Sequence, residues 1–145
     1  MHSLNRFLNG MSRCGALDRA HRLAGSGVGA YDTHYLFYLC HHAGVTQDAL
    51  ARALFVNKSS VTRHLSHLEE EGFVTRTPSP EDHRSLVVAP TEKALAILPQ
   101  LRAVSRDWEE RITAGLSAAE VEQFGSLLER VFDNARRAIA EEVEK

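Results

Sequence analysis

The chain has 145 residues, of which 43% are hydrophobic and 25% charged, and its formal net charge is −2. This length predicts one domain, and this composition is typical of a globular protein, which excludes a disordered or fibrous chain. The small negative charge argues against indiscriminate nucleic-acid binding, because proteins of that class usually carry a large positive excess. The N-terminus lacks the apolar segment of a secretory signal, so we expect a cytoplasmic location.

The chemistry-bearing residues do not form an enzyme motif. The two cysteines, Cys14 and Cys40, have neither the paired spacing of a zinc site nor the density of a disulfide scaffold, so we expect both to be reduced and buried. The sequence contains no phosphate-binding loop, metalloprotease motif or nucleophile elbow. We therefore expect no enzyme, no catalytic residues, no cofactor and no bound metal.

The first half of the chain predicts four helices. Apolar residues at helical spacing predict the first over Leu4–Leu23, and the glycines of segment 25–30 predict a flexible connector after it. Asp32 is the expected N-cap of a second helix that stops at Gly44. Two further caps, Thr46 and Asn57, begin a short helix with Leu50, Ala51 and Leu54 inside and a longer one, Lys58–Glu71, with Val61, Leu65 and Leu68 inside.

At the start of the second half, the helical spacing of apolar residues gives way to short segments typical of β-strands. Segments 73–76 and 86–89 are short and β-branched and flank a polar loop, which predicts a two-stranded hairpin, or wing. Helix then restarts at Thr91 and covers Glu92–Ala114, where Pro99 predicts a kink. A capping box, Ser117 with Glu120, predicts the start of a last helix that continues almost to the C-terminus.

Two adjacent short helices joined by a tight turn predict a helix-turn-helix, whose second helix contacts bases in the major groove of DNA. The candidate contacts on that helix are Lys58, Ser59, Ser60, Thr62, Arg63 and His64. On the wing they are Arg76, Asp82 and Arg84; we expect Arg84 to enter a minor groove and Asp82 to hold it. The alternative is that this polar helix face is merely solvated.

These segments also resemble a known family. Residues 47–51, 57–65 and 68–74, and then Pro80-Glu81-Asp82-His83-Arg84 followed by Thr91-Glu92-Lys93, are similar to the MarR family of bacterial transcription regulators. The resemblance covers nearly the whole chain. It departs from the family at Ala89-Pro90, where a leucine usually precedes the threonine, and at Ala94, where glycine is common.

The resemblance implies a mainly α fold with a small β-hairpin. It implies a single domain over 1–145, with a winged helix-turn-helix at 30–90 and dimerisation helices at 1–24 and 91–145. It further implies an obligate homodimer, and the broad apolar stripes of the terminal helices independently favour one. Such a dimer would bind double-stranded DNA at an inverted-repeat operator and act as a repressor.

The signal that the protein senses stays open at this stage. His34, Tyr35, Tyr38 and His41 are candidates for binding a small aromatic or phenolic effector, as family members often do, or for simple packing. Alternatives are a zinc site at Cys40-His41-His42 with His21 or Cys14, and oxidation sensing by Cys14. A separate alternative concerns the function itself: the winged helix could bind proteins rather than DNA.

Overall fold

The computed structural model describes residues 3–143 and is mainly helical. Its elements, in chain order, are α1 (Leu4–Arg22), α2 (Asp32–His41), β1 (Val45–Thr46), α3 (Gln47–Leu54), α4 (Lys58–Glu70), β2 (Val74–Pro78), β3 (Leu86–Pro90), α5 (Glu92–Ile112) and α6 (Ala118–Val143). The predicted helices are therefore confirmed, with ends that differ by a few residues. Helix α5 runs through Pro99 without interruption. None of the helices in the described range combines the length and apolar character needed to cross a membrane.

The chain divides into two compact units, the first ending at Trp108 and the second beginning at Glu109. The first unit contains α1 to α4, the sheet and most of α5, whereas the second contains α6. The region 30–90, expected as the winged helix-turn-helix, lies inside the first unit together with α1. Within this unit, α1 is joined to α5 by an ion pair in which Arg22 Nη2 lies 2.6 Å from Asp107 Oδ2.

Side-chain caps begin most of the helices as the sequence predicts. Thr46 Oγ1 accepts from the Ala49 N–H of α3, and Ser117 and Glu120 form the reciprocal capping box of α6. The prediction for α2 is wrong: its N-cap is Tyr31, without a side-chain cap, and Asp32 is the first helical residue. The Asp32 carboxylate instead accepts hydrogen bonds from outside its helix.

The wing belongs to a three-stranded antiparallel sheet with strand order β1-β3-β2. The predicted hairpin is confirmed as β2 and β3, in which Arg76 pairs with Val88. A third strand was not predicted: Val45 of β1 pairs with Val88 on the other side of β3. Two residues carry no periodicity, so only their non-local pairing identifies this strand.

A single apolar core lies within the first unit. It contains the predicted inward stripe of α4 with Leu50 of α3, Phe73, and apolar residues of α2, β3 and α5; the fully buried members include Leu36, Leu39, Val61, Leu65, Leu68 and Val88. The cysteines were wrongly expected here, since Cys14 is exposed and Cys40 is only half-buried. Both are free thiols.

The connection between α1 and α2 is held by several hydrogen bonds. Arg19 Nε donates to the Ala30 carbonyl over 2.6 Å, and the Ser26 hydroxyl donates to the Leu23 carbonyl over 2.6 Å. The Ser26 hydroxyl in turn accepts from the Val28 N–H. The connector therefore has a defined path in this structure, because the glycines permit a tight course along which neighbouring polar groups form hydrogen bonds.

Candidate nucleic-acid interface

The link between α3 and α4 has the short, capped geometry of a helix-turn-helix. Phe55 ends α3 in the left-handed conformation, with φ 55° and ψ 41°. Two residues later, Asn57 Oδ1 accepts from the Ser60 N–H and from the Ser59 hydroxyl, each over 2.8 Å. This cap satisfies a backbone donor at the start of α4 and orients the Ser59 side chain.

The first turns of α4 present polar side chains to solvent. Lys58, Ser59, Thr62 and Arg63 are exposed, Ser60 is half-buried, and Val61 is in the core. Lys58 Nζ lies 3.1 Å from Asp48 Oδ1 of α3, but both side chains are largely exposed, so this ion pair is weak. These four exposed positions are therefore accessible to a ligand as large as a duplex.

His64 lies differently from its neighbours. Its Nδ1 is 2.6 Å from Oδ1 of the buried Asp32, and its ring stacks on Tyr35 at a centroid distance of 4.9 Å. One turn later, His67 Nδ1 lies 2.9 Å from Asp32 Oδ2. The expected DNA contact of His64 is therefore restricted to its other ring nitrogen, Nε2. The sequence reasoning missed both Asp32, which it assigned to a cap, and His67.

Arg76 also differs from expectation, because its guanidinium is engaged within the protein. Nη2 lies 2.7 Å from Glu69 Oε2 and 3.2 Å from the Ser66 hydroxyl, while Nη1 lies 3.4 Å from Gln47 Oε1. The side chain is only 15% exposed. Arg76 thus joins strand β2 to α3 and α4.

The tip of the wing is organised by hydrogen bonds among its own backbone and side-chain groups. The Ser79 N–H donates to the Ser85 carbonyl over 2.8 Å, and Asp82 Oδ1 accepts from the Arg84 N–H over 3.1 Å. Arg84 Nε lies 3.5 Å from the same Asp82 oxygen, so the expected contact between these residues exists as an ion pair. The Arg84 side chain is 96% exposed.

The four candidate effector residues of α2 have different surroundings. Tyr35 belongs to the buried core, where burial raises the pKa of its hydroxyl, whereas Tyr38 is half-buried and stacks on His42. His34 and His41 are exposed, and His41 Nδ1 donates to the Phe37 carbonyl over 2.7 Å. The structure therefore separates Tyr35 from the other three, whose role stays a prediction.

The alternatives for sensing depend on cysteine and histidine. Among the described side chains, those of residues 3–140, no three His, Cys, Asp or Glu groups meet as a possible metal site, so the alternative zinc ligands around Cys40 are not brought together. Burial raises the pKa of the Cys40 thiol, which makes it a poorer nucleophile at neutral pH. Cys14 is exposed on α1.

Known proteins share both the sequence pattern and the fold. Residues 26–85 match a model of the MarR family. The HTH-type transcriptional regulator YybA of Bacillus subtilis is 29% identical over 103 residues, which cover 71% of this chain and 69% of YybA. A crystal structure of MarR is 25% identical and superposes with a TM-score of 0.91, covering 97% of this chain and 95% of its own. This chain is therefore similar to MarR-family proteins in sequence over residues 26–85 and in fold over nearly its whole length.

The proteins that this chain resembles are transcription regulators, and this similarity agrees with the arrangement of α3, α4 and the wing as a winged helix-turn-helix. A further MarR-family regulator, from Listeria monocytogenes and crystallised with a 26mer DNA, shares the fold with a TM-score of 0.85. It is 18% identical to this chain, covering 95% of it and 92% of its own length. At that identity the similarity concerns the fold alone.

Proposed function

We propose that this chain is a MarR-type transcription regulator that binds an inverted-repeat DNA operator as a homodimer and represses transcription from it. We call α4 the recognition helix. The observation that carries the proposal is that Ser59, Thr62 and Arg63 of this helix are exposed to solvent, as is Arg84 of the wing. A helix with polar groups near its N-terminus fits the major groove, where each base pair presents a distinct set of donors and acceptors.

Different members of this surface perform different tasks. Arg63 makes no hydrogen bond or ion pair with the described residues, so its guanidinium is available to two acceptors on one guanine. Arg84 extends from a loop held by Ser79 and Asp82, and its cation suits the negative potential of a minor groove. Lys58 and the N–H groups at the start of the recognition helix suit backbone phosphates.

The homodimer is supported by apolar side chains that the chain leaves in solvent. On α1 they are Leu4, Phe7, Met11 and Leu17, and on α6 they are Phe124, Leu127, Val131, Phe132 and Ile139. Apolar faces of this extent are typical of protein interfaces. A two-fold dimer then presents two recognition helices to successive major grooves, which requires an inverted repeat.

Repression follows from occupancy, because a dimer that covers its operator excludes other proteins from it. For regulation, a small aromatic or phenolic effector that binds near His34, Tyr38 and His41 of α2 would change the spacing of the two recognition helices. Titrating a panel of such compounds into a preformed protein–DNA complex tests this step. If no compound in the panel releases the DNA, effector control by this class of compound is contradicted.

The test of DNA binding begins with selection of bound fragments from genomic DNA by the purified protein. Anisotropy with the selected duplex and a scrambled one then compares wild type with Arg63→Ala and Arg84→Ala. We expect Arg63→Ala to relax base preference at one position, at a cost of about 1–3 kcal/mol. Arg84→Ala should weaken binding to both duplexes.

The controls separate the proposal from a protein-binding winged helix. Wild-type affinity should fall steeply with salt, because DNA binding releases counterions from neutralised phosphates. Arg106→Met, an exposed arginine of α5 outside the proposed surface, should leave both affinities nearly unchanged. Absence of any salt-dependent affinity, or a monomer by light scattering at micromolar concentration, contradicts the proposal.

A further inference from the structure

A buried carboxylate connects helix α2 to the recognition helix. The Asp32 side chain is 3% exposed, and it accepts hydrogen bonds from His64 Nδ1 over 2.6 Å and from His67 Nδ1 over 2.9 Å. A third bond, over 2.7 Å, comes from the Gly29 N–H. A buried anion is tolerated only when donors replace its water, so all three bonds belong to one arrangement. We call Asp32, His64 and His67 the carboxylate clamp.

The clamp holds the recognition helix at two points. His64 and His67 are three residues apart and therefore neighbours on one side of the helix, and each bonds a different oxygen of the same carboxylate. Because an ionised carboxylate only accepts hydrogen bonds, both imidazoles carry a proton on Nδ1. Two bonds to one rigid planar group restrict rotation of the helix about its axis more than a single contact does.

The surroundings leave Asp32 little freedom to move. A Cβ placed on Gly29 would lie 2.7 Å from Asp32 Oδ2, so the connection between α1 and α2 approaches the carboxylate more closely than any other residue type permits. The Tyr35 ring stacks against His64, one of the two histidines that bond the carboxylate. The carboxylate is thus held by the backbone of the connection as well as by the recognition helix.

We propose that Asp32 is a positioning residue for sequence-specific DNA binding, which sets the rotation of the recognition helix through His64 and His67. This inference rests on the proposed function. Arg63 and Ser59 share the helix with the clamp, so a rotation of the helix displaces both. Hydrogen bonds to base edges require a defined angle, whereas phosphate contacts are less demanding and independent of sequence. Loss of the clamp therefore reduces specific affinity more than non-specific affinity.

The test is Asp32→Asn, which preserves shape but gives the side chain one acceptor and one donor group. The single amide oxygen cannot accept hydrogen bonds from both imidazoles as strongly as the two carboxylate oxygens do. The amide NH2 group is itself a donor, so it repels an imidazole Nδ1–H. We expect affinity for the duplex selected by wild type to fall about tenfold or more, and affinity for a scrambled duplex of equal length to change by less than about twofold. Asp133→Asn on α6 removes the same charge elsewhere and should change neither affinity.

A spectroscopic measurement separates positioning from a general loss of stability. Nitrogen NMR of the free wild-type protein should show His64 and His67 both as the Nδ1–H tautomer, and Asp32→Asn should change the tautomer of at least one. If that variant does not fold, His67→Ala replaces it, since His67 is the more exposed partner and its loss leaves two donors on Asp32. We expect this variant to lower specific affinity by a smaller factor.

The outcomes distinguish this inference from the proposed function. A wild-type protein without salt-dependent DNA affinity overturns the proposed function itself. A wild-type protein that binds its selected duplex, with Asp32→Asn or His67→Ala binding equally well, overturns only the positioning role. Equal losses on the selected and scrambled duplexes, or unchanged tautomers in Asp32→Asn, also overturn it.

Discussion

Replacing Arg76 by methionine tests whether this arginine supports the wing from inside the protein or contacts DNA. The substitution keeps the apolar stem and removes the guanidinium, and with it the bonds to Glu69, Ser66 and Gln47. One bond remains available to any residue at this position, because the backbone N–H of Arg76 donates to Glu69 Oε1 over 3.1 Å.

The expected cost follows from the exposure of the partners. Hydrogen bonds to charged groups contribute about 1.5–3 kcal/mol when they are shielded from water. Here Arg76 is 15% exposed but Glu69 is 40% exposed, so solvent screens the pair substantially. We therefore expect Arg76→Met to lower the free energy of unfolding by about 1–2 kcal/mol.

The pH dependence provides an internal check. The hydrogen bond from the Arg76 side chain lowers the pKa of Glu69. A carboxyl whose pKa is lowered in the folded state stabilises the protein above its unfolded pKa, and this stabilisation is lost as pH falls through the folded value. Urea titrations give the free energy of unfolding of wild type and of Arg76→Met. The difference between these two free energies should therefore be largest near neutral pH and should shrink below about pH 4.

The salt dependence of DNA binding decides between the two roles. If Arg76 neutralised a phosphate, its loss would reduce the slope of log affinity against log salt by about 0.9. We expect the slope to stay at the wild-type value, with Arg106→Met as the charge-matched control. A reduced slope together with unchanged stability would refute the internal role and restore Arg76 as a DNA contact.

Two further predictions concern backbone geometry and thiol reactivity. Gly72 ends the recognition helix at φ +80°, and an added Cβ would meet only Lys93 Cδ at 3.9 Å, so Gly72→Ala should destabilise the protein by about 1 kcal/mol through backbone strain. Gly125→Ala, in a helix interior, should not lower the free energy of unfolding in the same urea titration. Equal losses of stability in the two variants would contradict the explanation by backbone strain at Gly72. Since burial raises the pKa of Cys40, the Cys14→Ser protein should react with a thiol reagent more slowly than Cys40→Ser at neutral pH, and equal rates would contradict this.

Local patterns determined most of the secondary structure. The caps Thr46 and Asn57, the Ser117–Glu120 capping box and the apolar stripe through Val61 and Leu65 each depend on residues a few positions apart. Such signals are present in the sequence itself, because the groups that satisfy one another are neighbours along the chain. For the same reason, the exposed polar start of the recognition helix was predictable from the position of its buried stripe.

Only the tertiary structure decided which distant polar groups pair. Asp32 has the sequence context of an N-cap, yet its carboxylate bonds residues 32 and 35 positions away in the chain, and Arg76 resembles a wing cation while it bonds Gln47 and Glu69. Strand β1 likewise exists through Val88, far along the chain. The hydrogen-bond donors of a buried charge are the groups that the fold places close to it in space. A sequence pattern does not show which distant residues these are.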